Sequence, residues 1–288
     1  MNIFDRMMSL DRRWVFLLLA IVCVVTYLLE FHVPIALSNE VESIYDRFEA
    51  LEEGDMIYMS VDYDPNALAE LHPTTYVLAE YCFRKKIKVI FGTLSNLGQG
   101  MVDQVLHDVA DSVSRDATYN GVFYEGRQIE NGIDYVFLGY KPYPAMVIQA
   151  MGLDFRVAFP TDYYGTPLDD IPIMQGVKNF DQCKLVMDMA AGNVVEMWIT
   201  YGYGNYGVPL AAAVTGVMGA DMYPYLNSGQ LFGLAAGLLG SAQLEKLTDN
   251  PGRAIDGMRI QVFAHIVIIL FIVMGNIGYL ATRNRNKR

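Results

Sequence analysis

The chain has 288 residues, 53% of them hydrophobic and 18% charged, and a net charge of −11. That length can bury one sizeable domain, and the composition excludes a disordered chain, a collagen-like fibre and a small disulfide scaffold. The acidic balance argues against a nucleic-acid partner, which needs a basic stripe.

Trp14 to Leu29 is a run of sixteen residues without a charge, closed by Glu30. As a helix it covers roughly 24 Å, less than a hydrocarbon core of ~30 Å, unless Phe31, Val33 and Ile35 to Leu37 extend it and Glu30 and His32 sit among headgroups. Residues 14–37 are then a first transmembrane helix, with Trp14 and Tyr27 at interfacial positions. Ala36-Leu37-Ser38, after Pro34, has the small-residue pattern of a cleavage site; the run is read here as an uncleaved anchor. Ile260 to Thr282 adds twenty-three uncharged residues closed by Arg283, roughly 34 Å of helix, and predicts a second span over 258–282. A buried core helix is the alternative for either run.

Orientation follows from flanking cations. Arg6, Arg12 and Arg13 precede the first run; Arg283, Arg285, Lys287 and Arg288 follow the second. They put residues 1–13 and the basic tail 283–288 in the cytoplasm, and the middle of the chain outside a plasma membrane. Arg253 and Arg259 run against this assignment. Residues 38–257 hold 13 Lys and Arg against 29 Asp and Glu, consistent with the assignment without deciding it.

The middle begins with a helix over 38–53, capped by Ser38 or Asn39, with Val41, Ile44, Tyr45 and Phe48 on one stripe and Gly54 as its stop. It reads as a stalk (38–54) leading to a domain over 55–250. Five strand-like runs follow: Asp55–Tyr63, Lys88–Leu94, Asp134–Tyr140, Leu185–Ala190 and Val208–Val214. Helical patterns alternate with them over 66–86, Gly98–Arg115, Pro144–Met151, Asn193–Tyr201 and from Ser228 to Leu247. Residues 118–133 and 155–183 read as loop-rich insertions. Strands apolar on both faces and alternating with helices mean a mostly parallel sheet covered on both sides. The predicted fold class is therefore α/β, a Rossmann-like or flavodoxin-like three-layer domain. Cys82 and Cys183 read as two buried free thiols rather than a disulfide, and no zinc spacing occurs.

In such folds ligands bind beyond the carboxyl ends of the strands. That rule nominates Asp62, Asp64, Thr93, Ser95, Asn96, Gly98, Gly100, Tyr140, Lys141, Gly192, Asn193 and Thr215. Asp62-x-Asp64 is the sharpest polar feature, since two carboxylates at that spacing can hold Mg²⁺. It resembles the nucleophile motif of the haloacid-dehalogenase-like phosphatases, with Thr93 matching their Thr/Ser position. Such a resemblance would imply a metal-dependent phosphohydrolase. Pro65-Asn66 departs from the pattern, and no acidic pair directly follows a later strand. The simpler reading has Asp62 or Asp64 capping the next turn. Gly98-Gln99-Gly100 lacks the third glycine of a dinucleotide fingerprint, its place being taken by Asp103, and there is no P-loop or G-x-S-x-G elbow. No cofactor and no catalytic set is predicted. His72 and His107 read as surface or satisfied histidines, and Tyr201–Gly207 as an aromatic connection.

Between 229 and 247, Gly233, Gly237 and Ser241 repeat at four-residue spacing. Three helical glycines or near-glycines need a compensating close approach, either inside the domain, to a second subunit or into the bilayer. His265 and Asn276, about three turns apart and beside Gly275, share a face of the second run; polar groups in a bilayer seek partners, with Thr26 or a neighbouring protomer as candidates. The leading expectation is a non-enzymatic, homo-oligomeric membrane assembly protein contacting itself through Gly233, Gly237, Ser241, His265, Gly275 and Asn276. The alternatives are a membrane-anchored small-molecule binding or sensory domain using the strand-end crevice, and the phosphohydrolase.

Overall fold

The computed structural model describes residues 10–29, 31, 33–115, 117–119 and 122–285. Arg6, Glu30, His32, Lys287 and Arg288, which entered the topology argument, lie outside them. The chain forms two compact units, one being Ile35–Ile255 and the other Met1–Pro34 with Asp256–Arg288.

In the unit made by the two ends, α1 (Arg12–Leu28) starts where the Asp11 carboxylate accepts from the Arg13 N–H. A long final helix, here α11 (Arg253–Arg285), carries the second apolar run. Its Arg253–Arg283 stretch, with mean hydropathy 2.3 over its most apolar window, is the one helix among the described residues long and apolar enough to cross a membrane. At 17 residues, α1 reaches only about 26 Å. Phe31 and Phe263 meet with ring centroids 5.1 Å apart. Thr26, a candidate partner for Asn276, instead donates to Val22 O in its own helix, and Asn276 donates to Ile272 O.

The domain is built on a six-stranded, wholly parallel sheet. Its strands are β1 (Met56–Asp62), β2 (Lys88–Thr93), β5 (Tyr135–Tyr140), β6 (Val186–Ala190), β7 (Leu210–Val214) and β8 (Gly233–Ala236). A small antiparallel pair, β3 (Ala117–Tyr119) with β4 (Val122–Tyr124), lies inside the first insertion. Almost every residue of the six strands is buried, which is why they read as continuous apolar runs.

The order across the sheet is β5-β2-β1-β6-β7-β8. Counting only these six, that is 3-2-1-4-5-6, the doubly wound order. One face is covered by α2 (Asn39–Glu49), α3 (Leu68–Arg84), α4 (Gln99–Val113) and α10 (Gly237–Leu247). The other is covered by α5 (Pro144–Leu153), α6 (Phe155–Ala158), the turns of 159–183, the segment from α7 (Val194–Met197) through α8 (Gly204–Tyr206), and α9 (Gly219–Asn227). The three-layer expectation holds.

Two local readings change. The 38–54 stalk is a layer of the domain: Val41, Ile44 and Phe48 are fully buried in the core, and the Ser43 hydroxyl donates to Phe232 O. Its apolar stripe was visible in the sequence, whereas the surface it covers was not. The helix expected from Ser228 to Leu247 is instead the sixth strand, β8, followed by α10. Gly237, in the left-handed region at φ +60°, turns the chain between them. A Cβ at Gly233 would lie 2.4 Å from Ile44 Cγ1, so this glycine lets α2 rest on the strand. Cys82 and Cys183 are free and pack in the cores on opposite faces of the sheet.

Candidate functional site

Winding outward from β1 in both directions leaves one place where the strand order reverses, between β1 and β6. There the connections leave toward opposite sides, which in sheets of this order is where the ligand crevice lies, beyond the carboxyl ends. β1 and β6 pair with Ser60 beside Asp188 and Asp62 beside Ala190. Side chains alternate along a strand, so Tyr58, Ser60 and Asp62 fall on one face, and Asp188 joins them from the neighbouring strand. The result is a polar column in an otherwise apolar layer, directly under the reversal point.

The column is closed from water. Tyr58, Ser60 and Asp188 are fully buried and Asp62 is 4% exposed. Asp62 is well held: the Ser60 hydroxyl donates to Oδ2 at 2.5 Å and the Leu94 N–H donates to Oδ1 at 2.5 Å. Asp188 has no protein donor on either oxygen. Burial, and then the charge of Asp62, push the Asp188 carboxyl far above the usual carboxylate range. Burial also raises Asp62, against the opposing effect of its donors. Two ionised carboxylates can only accept. A bond between this pair therefore needs a proton, and Asp188, the one without donors, is the residue that keeps it.

Around the pair stand further poorly paired groups. The Tyr58 hydroxyl and the Trp198 indole N–H are buried without a hydrogen bond of good geometry, although a buried polar group is almost always paired; Ser60 lies nearest the first and Asp62 nearest the second. Burial and the nearby Asp62 raise the Tyr58 phenol well above its ordinary range. Tyr58 packs on Trp198 (centroids 5.3 Å), and Phe155 and Phe180 complete an aromatic cluster. Trp198 opens a π-helical stretch, Trp198–Tyr203, a rare winding concentrated at functional sites. Gly202 makes room for the indole: a Cβ there would meet Trp198 Cε3 at 2.8 Å.

The other nominated positions divide. Thr93 is buried; its hydroxyl donates to Val61 O at 2.7 Å and accepts from Ser95 N. Gly98 lies against it, where a Cβ would fall 2.3 Å from Thr93 Oγ1. Both fasten the β1 and β2 ends together. Asp64 caps the next turn by accepting from Asn66 N, so its carboxylate and that of Asp62 do not converge. No group of three or more His, Cys, Asp or Glu among the described residues is placed to hold a metal. Asn96, Gly100 and Asn193 are exposed, and Ser95, Gly192 and Thr215 half-buried, around the crevice. Tyr140 and Lys141 stand apart, beyond the edge strand β5. His72 is paired with the Tyr63 hydroxyl at 2.7 Å and His107 is exposed. Three of the six residues of the expected oligomer contact turn inward: Gly233 under α2, Gly237 against Gly216, and Ser241 bonded to Thr74 Oγ1 and Glu70 O. The other three, His265, Gly275 and Asn276, lie on α11.

Asp188 and Glu70 escaped the sequence reading. Glu70 Oε2 accepts from Gly216 N at 2.7 Å, tying the first crossover to the end of β7. The signal for Asp188 was present: one carboxylate in a strand otherwise apolar on both faces, Val186-Met187-Asp188-Met189-Ala190. Chemically the site offers one shared proton, several acceptor oxygens, two weakly engaged donors in Tyr58 and Trp198, and aromatic walls. Residues 62–70, 93–100, 190–196, 214–221 and 236–240, which follow five of the six strands, hold no Lys or Arg, so a phosphate finds no cation there. Compared with protein-family models, curated proteins and solved structures, the chain has no significant match.

Proposed function

We propose that this is a membrane-anchored binding domain that takes a neutral or cationic polar ligand at the crevice between β1 and β6. The observation that carries the reading is a column of buried polar groups under the reversal point, in which Asp188, Tyr58 and Trp198 have no hydrogen bond of good geometry and face only one another, Ser60 and Asp62. An interior selected only for stability would fill those positions with apolar groups. Carboxylates, amides and aromatic faces without a cation favour amines and polyols over nucleotides and phosphate esters.

The test is thermal unfolding of the full chain with spermidine, betaine or glucose, and with ATP as the anionic control. Stabilisation by one of the first three, absent in Asp188→Asn and in Trp198→Phe, is expected. A shift given only by ATP, or one unchanged in both variants, overturns the reading.

α11 and, with its flanking Arg12 and Arg13, α1 are taken as the two anchors, with the domain outside the cytoplasm. Protease added to intact spheroplasts should then digest residues 38–257, and their protection refutes this topology. Self-association is a second reading. It rests on His265 and Asn276, which are exposed on α11 at a spacing that shares one face. A particle of monomer mass in nanodiscs would end it.

A further inference from the structure

A second site lies beyond β5, away from the crevice. α5 is apolar on every side, Pro144-Ala-Met-Val-Ile-Gln-Ala-Met-Gly-Leu153, yet only its Val147, Ile148, Met151 and Gly152 are buried. Met146 is 69% exposed, Val157 on α6 67% and Tyr143 73%. Between these helices runs a groove of about 360 Å³, lined by Tyr143, Met146, Ala150 and Val157 with Lys141 as the single charged residue. An exposed apolar surface of this kind marks an interaction site.

Two further observations say what covers it. Tyr143 sits at φ +65°, ψ +68°, directly before α5. A bulky side chain in the left-handed region is strained, and here the strain holds the ring at the groove wall. Lys141 lines the same groove, its Nζ 5.8 Å from the centre of the Phe159 ring. In a chain of net charge −11 it has no carboxylate partner among the described residues, whereas the neighbouring Arg156 is bound to Asp154 and Asp169. An open apolar groove lined by one ammonium without a carboxylate partner is complementary to an anionic head on an apolar tail. The volume is at the small end of ligand sites, ~300–1,000 Å³, room for one chain and not two. A chain carrying one helix long and apolar enough to enter a bilayer is also where such amphiphiles are found.

We propose that the α5–α6 groove binds a single-chain anionic amphiphile, a free long-chain carboxylate, with the tail along Met146 and Val157 and the carboxylate on Lys141 Nζ. This goes beyond the crevice reading and does not depend on it.

The experiment uses the full chain in phosphatidylcholine nanodiscs, with photoactivatable palmitate as probe and the matching long-chain alcohol as the uncharged control. Cross-linked peptides are mapped by mass spectrometry. Labelling should fall on residues 141–158, be displaced by oleate, be about tenfold weaker in Lys141→Glu, as expected for losing one charge-assisted contact, and be lost in Val157→Arg. Both substitutions are at solvent-facing positions, and unchanged melting temperatures confirm that the fold is kept. Labelling confined to 260–282 reports partition into the bilayer alone and overturns the proposal. So does equal labelling by the alcohol, or labelling indifferent to both substitutions. Absence of labelling together with a dimer that dissociates in Val157→Arg would show that a second copy covers the groove, and overturns it as well.

Discussion

The central strands β1 and β6 present two faces of opposite character. On the α3 side they contribute Ile57, Met59, Val61, Met187 and Met189, all fully buried and apolar. On the α5 side the same strands contribute Met56, Val186 and Ala190 but also Tyr58, Ser60, Asp62 and Asp188, all as deeply buried. Backbone geometry, register and burial are shared, so the folding problem is the same on both faces and only one is solved by hydrophobic packing alone. Carboxyl groups at such depth lose hydration that their partners restore only in part. The polar face therefore answers to something other than stability, and the sheet alone does not require it.

Exchanging the faces gives the largest expected effect. Met187→Asp places a carboxyl on the apolar face, where none of the donors that serve Asp62 is present. It should cost more than about 4 kcal/mol and leave no folded domain by circular dichroism. The reverse change, Asp188→Met, should cost far less, about 1–3 kcal/mol at most, because Asp62 loses the proton held by Asp188 but keeps its Ser60 and Leu94 bonds. A melting temperature that falls as far in Asp188→Met as in Met187→Asp would show the two faces to be equivalent after all.

Titration sharpens the contrast, because only one face carries protons. A carboxyl whose folded pKa is raised binds its proton more tightly folded than unfolded, so stability is full below the unfolded value near pH ~4 and declines as pH rises toward the folded pKa, by up to about 1.4 kcal/mol per unit. Asp188 is such a group. His72, buried beside Tyr63 on the other side of the sheet, runs oppositely. Burial, and then the nearby Arg253, lower it to about 4, so its contribution grows from about pH 4 to its unfolded value of ~6.5 and is constant above. Between those limits the two effects oppose each other; above ~6.5 the carboxyl pair leads the decline, and the buried Cys82 and Cys183 thiols and the Tyr58 phenol, also raised by burial, add to it only at more alkaline pH. Urea unfolding should show stability declining from neutral to alkaline pH, and Asp188→Asn should flatten that decline. An unaltered alkaline slope in Asp188→Asn would mean that the retained proton is elsewhere.

The same physics decides what the sequence could disclose. Five strands were legible because a strand buried on both faces is an unbroken apolar run with clear turn residues at its ends. β8 was not, because Gly233-Leu234-Ala235-Ala236 has neither β-branching nor alternation; it is a strand because β7 offers a free edge and α2 needs a glycine beneath it. The strand-end rule led to Asp62 and Thr93, which close β1 and β2. It passed over Asp188, which lies two residues before its strand ends, since only the β1–β6 register brings it beside Ser60 and sequence spacing says nothing of register. The inward turn of Gly237 and Ser241 was equally out of reach, because a stripe of small residues names a close approach without naming the neighbour.

The smallest expected effect is the most discriminating. Tyr58→Phe removes one hydroxyl from the polar face and nothing else. That hydroxyl lies against Gly92, where a Cβ would be 2.0 Å away, and has no hydrogen bond of good geometry. Removing an unsatisfied buried group costs nothing and can stabilise, whereas removing a satisfied one costs about 1 kcal/mol. In the ligand-free chain Tyr58→Phe should thus leave the urea midpoint unchanged or slightly raised, while weakening the stabilisation given by the crevice ligand. A loss of 1 kcal/mol without ligand would mean that a buried water already completes the column. The polar face would then be a finished hydrogen-bond network like any other, and its difference from the apolar face would no longer point to a binding site.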